Sequence, residues 1–366
     1  MVTALRILSI VAGGVLVLWA SFSAILTFVV PRGTPVALTR WVFTAVATGF
    51  RGVALRSKSY ETKDKIMALY APFGLLLLPV AWLIIVYFGF SLIFLGLRVT
   101  PYHQALLMSA SSLFTLGFVG ARNLPSAAAV AIEAGLGLGL VAILISYLPS
   151  IYSSYSRREI RVTGLETFAG SPPSAETLLR RLTIVDRLSH TEEIWQSWIE
   201  WFADIEESHT SIPAIAFFRS PQPERSWVTA AGAVLDSASI VASTMTDVPH
   251  PEAALCIRSG YLSLRRVADF FQLPYDPDPS PDDPISISRE EFEQVIDNLV
   301  EAGAPITATK DNAWRDFVGW RVNYDRVLLE LASLTIAPFA PWSSDRSPTP
   351  LAFTGFGRQN RQRRTR

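Results

Sequence analysis

Ser111-Ser112-Leu113-Phe114-Thr115-Leu116-Gly117-Phe118-Val119-Gly120 stands between two long apolar runs, and its setting decides the fold. It belongs to a stretch, residues 99–125, that is uncharged from Val99 to Ala121. The stretch carries Pro101, His103, Gln104, Pro125 and four Ser or Thr within seven residues (Ser109, Ser111, Ser112, Thr115). That composition is too polar for a helix facing lipid and too apolar for an ordinary loop. Irregular backbone at membrane depth persists only when buried in protein or lining an aqueous cavity. A short re-entrant helix followed by a loop meets that condition.

The runs on either side are long enough to cross a bilayer. Crossing the ~30 Å hydrocarbon layer takes about 20 apolar residues in a helix. There are 25 uncharged residues between Arg6 and Arg32 and 32 between Lys65 and Arg98, and a third run over 126–151 carries only Glu133. The first run resembles a cleaved signal peptide in having Arg6 in front and small residues near Ala20–Ala24. It exceeds the ~15-residue apolar core of such peptides, so the reading is a retained helix. Tyr147, Tyr152 and Tyr155 suit an interfacial aromatic belt at the end of the third run.

Charge divides the chain. The total cancels at 32 basic against 32 acidic residues, yet residues 1–154 hold 10 Lys or Arg and three acids (Glu61, Asp64, Glu133), a net of +7. The remainder is net −7. A basic-flanked apolar half therefore precedes an acidic one with soluble character. Arg32, Arg40, Arg51, Arg56, Lys58, Lys63 and Lys65 separate the first two runs, and Arg157, Arg158 and Arg161 follow the third. The excess of positive charge in cytoplasmic loops predicts 32–66 and everything after 155 inside, and 99–125 outside. Three spans then put the N-terminus outside and the C-terminal domain in the cytoplasm of a cell that carries the chain in its plasma membrane. Within the inner loop, Val36, Leu38, Trp41, Val42, Ala45, Val46, Phe50 and Val53 mix with Arg40 and Arg51, predicting an amphipathic helix over 36–56 at the inner leaflet. A fourth short span there would bury two arginines and reverse the topology.

The centre of the opening stretch, Thr115-Leu116-Gly117-Phe118, lies between two spans on the expected outer face. Residues 68–152 resemble the two-helix pore module of potassium channels. The resemblance implies a pore helix over Tyr102–Phe114, whose C-terminal partial negative charge aims at a central cavity. It implies a filter at Thr115, Leu116, Gly117, Phe118 and Val119, whose carbonyls replace the water around an ion. Gly117 falls where the family needs a residue that tolerates positive φ. Phe118 is an aromatic where the family has Tyr or Phe. Val119 departs from the family's fifth-position Gly, and the following residues are Gly120, Ala121 and Arg122 instead of an acid. A β-branched Val resists positive φ, and Arg122 near the mouth would not attract cations. The resemblance implies a homotetramer passing potassium or other monovalent cations, with no strict selectivity assigned.

The third span supports two readings at Gly135 and Gly139: a hinge in the inner helix, or a small-residue helix-packing motif. Glu133 costs roughly 2.5–3.5 kcal/mol at a bilayer centre, so it is expected to avoid lipid, behind the filter or facing the pore and bonded to Ser111, Ser112 or Arg122, either as a structural inter-helix hydrogen bond or with a role in ion passage.

From Arg157 onward helical spacing runs through a charged background. Ile194, Trp195, Trp198, Trp201, Phe202 and Ile205 form one apolar helix face. Ser288 and Glu291 form a capping box ahead of Phe292. Pro251 and Thr309 mark two more helix starts. The spacing predicts helices near 174–189, 191–207, 226–245, 251–271, 288–302 and 309–334. The domain organisation read this way is a first spanning helix (1–31), an amphipathic linker (32–66), a pore domain (67–155) with a re-entrant loop over 101–122, a helical cytoplasmic domain (156–346) and a basic disordered tail (347–366). The fold class is an all-α membrane protein: three transmembrane helices, a re-entrant pore helix and filter loop, then an all-helical soluble domain.

Several chemistries are not encoded. There is no GxGxxG after a strand, no P-loop, no HExxH and no GxSxG, so neither an enzyme nor a bound cofactor is expected. Cys256 is alone and only four His are present, which argues against a structural zinc. Asp276, Asp278, Asp282 and Asp283 lack the Gly and terminal Glu of a calcium loop. Glu206-Glu207-Ser208-His209-Thr210-Ser211 collects catalytic residue types, which would suit a membrane-bound hydrolase. Adjacent residues seldom converge on one atom, so a solvated helix end is expected. Arg219 and Arg225 flank a Ser220-Pro221 turn that could hold an anion. Five arginines among the last nine residues (Arg358, Arg361, Arg363, Arg364, Arg366) could hold the tail on anionic lipid at about 1 kcal/mol each. Nucleic acid is not an expected partner. The alternative to conduction is a membrane-anchored helical binding or signalling protein.

Overall fold

The computed structural model describes residues 2–28, 37–54, 56–57, 59–188, 190–247 and 249–348. The Arg-rich tail lies outside them. Among the described residues the chain is helical without strands: α1 (Val2–Phe28), α2 (Ala37–Ala54), α3 (Tyr60–Ala68), α4 (Tyr70–Gly96), α5 (Tyr102–Leu113), α6 (Leu124–Ala169), α7 (Ala175–Ile184), α8 (Glu192–Ser211), α9 (Trp227–Thr244), α10 (Pro251–Phe271), α11 (Arg289–Glu301), α12 (Lys310–Arg321) and α13 (Asp325–Thr335). Three helical stretches, Thr3–Phe28, Tyr60–Gly96 and Leu124–Ala169, are long and apolar enough to cross a membrane. The chain forms two compact units, residues 1–46 with 71–152, and residues 47–70 with 153–366.

In the first unit α1 and α4 pack antiparallel at close range because glycines line their seam. A Cβ on Gly13 would lie 2.3 Å from the Gly89 carbonyl, and one on Gly96 would lie 2.8 Å from the Arg6 carbonyl. Polar side chains tie the same seam: Ser9 donates to the Leu92 carbonyl (2.6 Å) and the Trp82 indole to Ser23 (3.0 Å). Close backbone approach and interhelical hydrogen bonds are the forces available where lipid offers no hydrophobic drive. α6 remains open. Only 22% of its most apolar window is buried, and Ile132, Leu138, Val141, Ile145 and Leu148 are exposed.

The second unit is built around α9. Nearly every α9 residue is buried, as expected of a helix apolar on all sides. α8 presents Trp195, Trp198, Trp201, Phe202 and Ile205 to the core, and α10 packs against both α8 and α9. The capping box at Ser288 and Glu291 forms, and Pro251 opens α10.

Three boundaries differ from the sequence reading. The stretch read as one helix over 309–334 breaks into α12 and α13, because Asn323 turns its side-chain amide onto the carbonyls of Gly319 (3.0 Å) and Trp320 (3.3 Å). α7 ends at Ile184, short of 189. Asp186 adopts a left-handed φ of 54°, and Arg187 N–H closes onto the Leu182 carbonyl at 2.8 Å. The helix of the third span continues to Ala169, well beyond 151, since Arg157, Arg158, Glu159 and Arg161 end the apolar run but not the helix.

Candidate functional site

α5 and the loop after it hold the sequence-predicted site. α5 ends at Leu113, with Phe114 as its cap. Its last carbonyls lack helical partners, and the loop folds back to supply them. Thr115 N–H donates to the Ser112 carbonyl (2.9 Å), and Leu116 and Gly117 N–H both reach the Ser111 carbonyl (2.8 and 3.3 Å). Val119 N–H then donates to the Ser111 hydroxyl at 3.0 Å. Two residues take positive φ to make this turn, Gly117 at 71° and Thr115 at 55°. For Gly117 that costs nothing sterically, whereas the branched Thr115 is strained. Val119 stays out of the positive-φ region.

The turn consumes N–H groups and leaves carbonyls. Among the described residues no hydrogen bond reaches the carbonyls of Thr115, Leu116, Gly117, Phe118 or Val119. Phe114 through Phe118 are exposed, and the Thr115 hydroxyl donates back to the Phe114 carbonyl at 2.7 Å. Arg122 is exposed as well.

Behind the loop, Glu133 on α6 is fully buried. Its carboxyl accepts from the Ser109 hydroxyl (2.5 Å) and from the Ser112 hydroxyl. Ser109 also lies 2.9 Å from the Tyr87 carbonyl of α4. Glu133 is thus bonded to α5. Ser109 takes the place expected of Ser111 or Arg122, and Ser111 holds the loop instead. Neither role is readable from the sequence, where the serines differ only by helical phase. Gly137 sits where a Cβ would lie 2.4 Å from the Leu113 carbonyl, so α6 approaches the end of α5 as closely as a backbone can. At Gly135 and Gly139 a Cβ would meet nothing within 4 Å.

The other sequence candidates do not assemble. The end of α8 is a packed core position, not the solvated helix end expected. Ser208 and His209 are buried, and the His209 ring packs 4.7 Å from Trp227 with Nδ1 3.0 Å from the Ser208 hydroxyl. Burial and the nearby Arg158 charge push the His209 pKa well below its ordinary value. Glu206 instead pairs with Arg266 and Ser263. Arg219 and Arg225 are engaged by protein acceptors, Ile336 O and Asp64 for the first and Glu166 for the second. In the Asp-rich loop, Asp276 and Asp283 cap backbone N–H groups of Asp278 and Ser280. Among the described residues no cluster of His, Cys, Asp or Glu could hold a metal ion. Comparison with protein-family models, with curated proteins and with solved structures gives no match.

Proposed function

We propose that this chain is an ion-channel-like membrane protein that conducts monovalent cations, potassium first among them, through a homotetramer. The observation that carries the reading is the run of carbonyls from Thr115 to Val119, which no hydrogen bond reaches among the described residues, on a loop whose Thr115, Leu116, Gly117 and Val119 N–H groups are spent on α5. An ion leaving water needs polar oxygens in place of its hydration shell, and a ring of such loops offers them. Four copies would bring these carbonyls around one axis, with the open face of α6, including Gly135 and Gly139, available for the helix contacts such a ring requires.

In this reading α1, α4 and α6 span a plasma membrane, α5 is a re-entrant pore helix, and the buried Glu133 braces the loop from behind. The step performed is dehydration at the loop with carbonyl substitution, and no bond is made or broken. The basic residues between α1 and α4 favour a cytoplasmic location for that linker and for the helical domain. Val119 and Arg122 are the reasons to assign cations of one charge without assigning strict potassium selectivity.

The mass of the intact complex in lipid nanodiscs tests the assembly. Four copies are expected. A stable monomer cannot close a four-loop filter, and that result would leave the chain as a membrane-anchored binding or signalling protein.

A further inference from the structure

The segment Pro213–Arg219, between α8 and α9, is held from two directions, both within the second unit. From α6, the Arg158 guanidinium donates to the carbonyls of Ile215 (2.8 Å) and Phe218 (2.7 Å), and the Tyr155 hydroxyl donates to the Arg219 carbonyl (3.1 Å). From α3, Asp64 pairs with Arg219 at 3.4 Å, and from the start of α4 the Tyr70 ring packs edge-on against Phe217 at 5.3 Å. Arg219 and the Tyr60 hydroxyl then converge on one acceptor, the carbonyl of Ile336 just past the end of α13, at 2.8 and 3.3 Å. Arg51 donates to the Leu334 carbonyl beside it at 2.6 Å.

These contacts satisfy carbonyls that α13 cannot satisfy itself and set positive charge at its negative end. Ile336 has a left-handed φ of 52°, a conformation that a β-branched residue holds only when its surroundings fix it. α3 leads into α4 through Leu69, whose φ of −82° and ψ of −15° keep that turn helical, so movement of α3 is carried into α4. Asp64 and Met67 are its buried residues, and Asp64 is the one that pairs with Arg219.

We infer that Arg219, Tyr60, Asp64 and the end of α13 form a latch through which the helical domain sets the state of α4. The chain runs from α3 into α4 across the single residue Leu69, so release of α3 reaches the apolar helix directly. As a gate-coupling device the latch rests on the conduction proposed above, while its mechanical half stands without it.

The test uses the full-length protein in nanodiscs and compares wild type with Arg219→Ala and Tyr60→Phe. Amide exchange is read over residues 60–68, over 70–78, and over α9 as a control for folding. Both variants are expected to exchange at least tenfold faster across 60–68 and to carry a rise into 70–78, with α9 unchanged. If Arg219→Ala also loosens α9, Tyr60→Phe decides, because it removes only one hydroxyl. A rise confined to 60–68, or none, would overturn the latch. Potassium flux is measured on the same samples, where the variants are expected to differ from wild type by fivefold or more. Equal flux in a conducting wild type would overturn the coupling. A wild type without flux would count against the channel reading and leave the exchange result to judge the latch.

Discussion

Ser111 accepts Leu116 and Gly117 N–H groups on its carbonyl and the Val119 N–H on its hydroxyl, and so fixes the loop's curvature from one position on α5. A comparable concentration of bonds lies in the helical domain. Arg321 is fully buried, contacts Asp236, and donates to Asp325 (2.8 Å) and to the Trp342 carbonyl (2.5 Å). Burial alone would lower the Arg321 pKa, but Asp236 and Asp325 outweigh it and hold the guanidinium charged. Burial pushes the Asp236 carboxyl up, and Arg321 pulls it back. Arg321→Ala leaves two carboxylates buried without their cation, a loss of about 3–5 kcal/mol. Its thermal unfolding midpoint should fall sharply, and a midpoint within a degree of wild type would refute this account of the cluster. At the other end of the scale, Arg346 and the start of α11 hold the Glu291 carboxyl down to about 2 from 4.5, chiefly through the Arg346 hydrogen bond. A depressed folded-state pKa contributes stability that is fully present above 4.5 and is lost as pH falls towards about 2. The Glu291 side chain is 42% exposed, so the contribution stays at roughly 1 kcal/mol or less. Glu291→Gln should unfold earlier than wild type at neutral pH, with the gap closing below pH 4. A constant gap across that range would contradict the linkage.

At the scale of elements, the junction of α5 with α6 depends on the missing side chain of Gly137. Gly137→Ala gains helix propensity of about 1 kcal/mol but drives a methyl against the Leu113 carbonyl. Gly164→Ala on the same helix has open space and serves as its reference. The unfolding midpoint should drop for Gly137→Ala and hold or rise for Gly164→Ala, and the reverse order would show that the close approach is dispensable. The comparison also marks how far the sequence could be read. Length and hydropathy disclose α1, α4 and α6, and spacing with Ser288, Pro251 and Thr309 discloses most of the second unit. Periodicity persists through Val322-Asn323-Tyr324, so the break after α12 is hidden until Asn323 is seen bonding to the preceding turn. The candidate site divides the same way. The uncharged loop, a glycine at 117 and Ser112 as a partner of Glu133 are legible in the sequence, whereas the assignment of Ser109 to Glu133, and of Ser111 to the loop, depends on helical phase in three dimensions. The Arg219 contacts were the least legible, since Ile336 lies 117 positions away and Asp64 155, and the Ile336 partner is a main-chain carbonyl that no residue type announces.

For the whole molecule, the apolar helices impose one physical requirement. The exposed apolar surface of α1, α4 and α6 needs lipid or other copies to cover it. The proposed tetramer in a bilayer would cover that surface and gather the Thr115–Val119 carbonyls around one axis. Gly117 is the most sensitive point of that account because its φ of 71° is one that Ala resists by roughly 1–2 kcal/mol. The decisive measurement is potassium flux into liposomes holding the purified full-length protein, wild type against Gly117→Ala, with the oligomeric mass of both confirmed. The account predicts flux for wild type and its loss in a Gly117→Ala protein that still forms tetramers. Wild-type tetramers that pass no potassium, or a Gly117→Ala tetramer that passes as much, would contradict it.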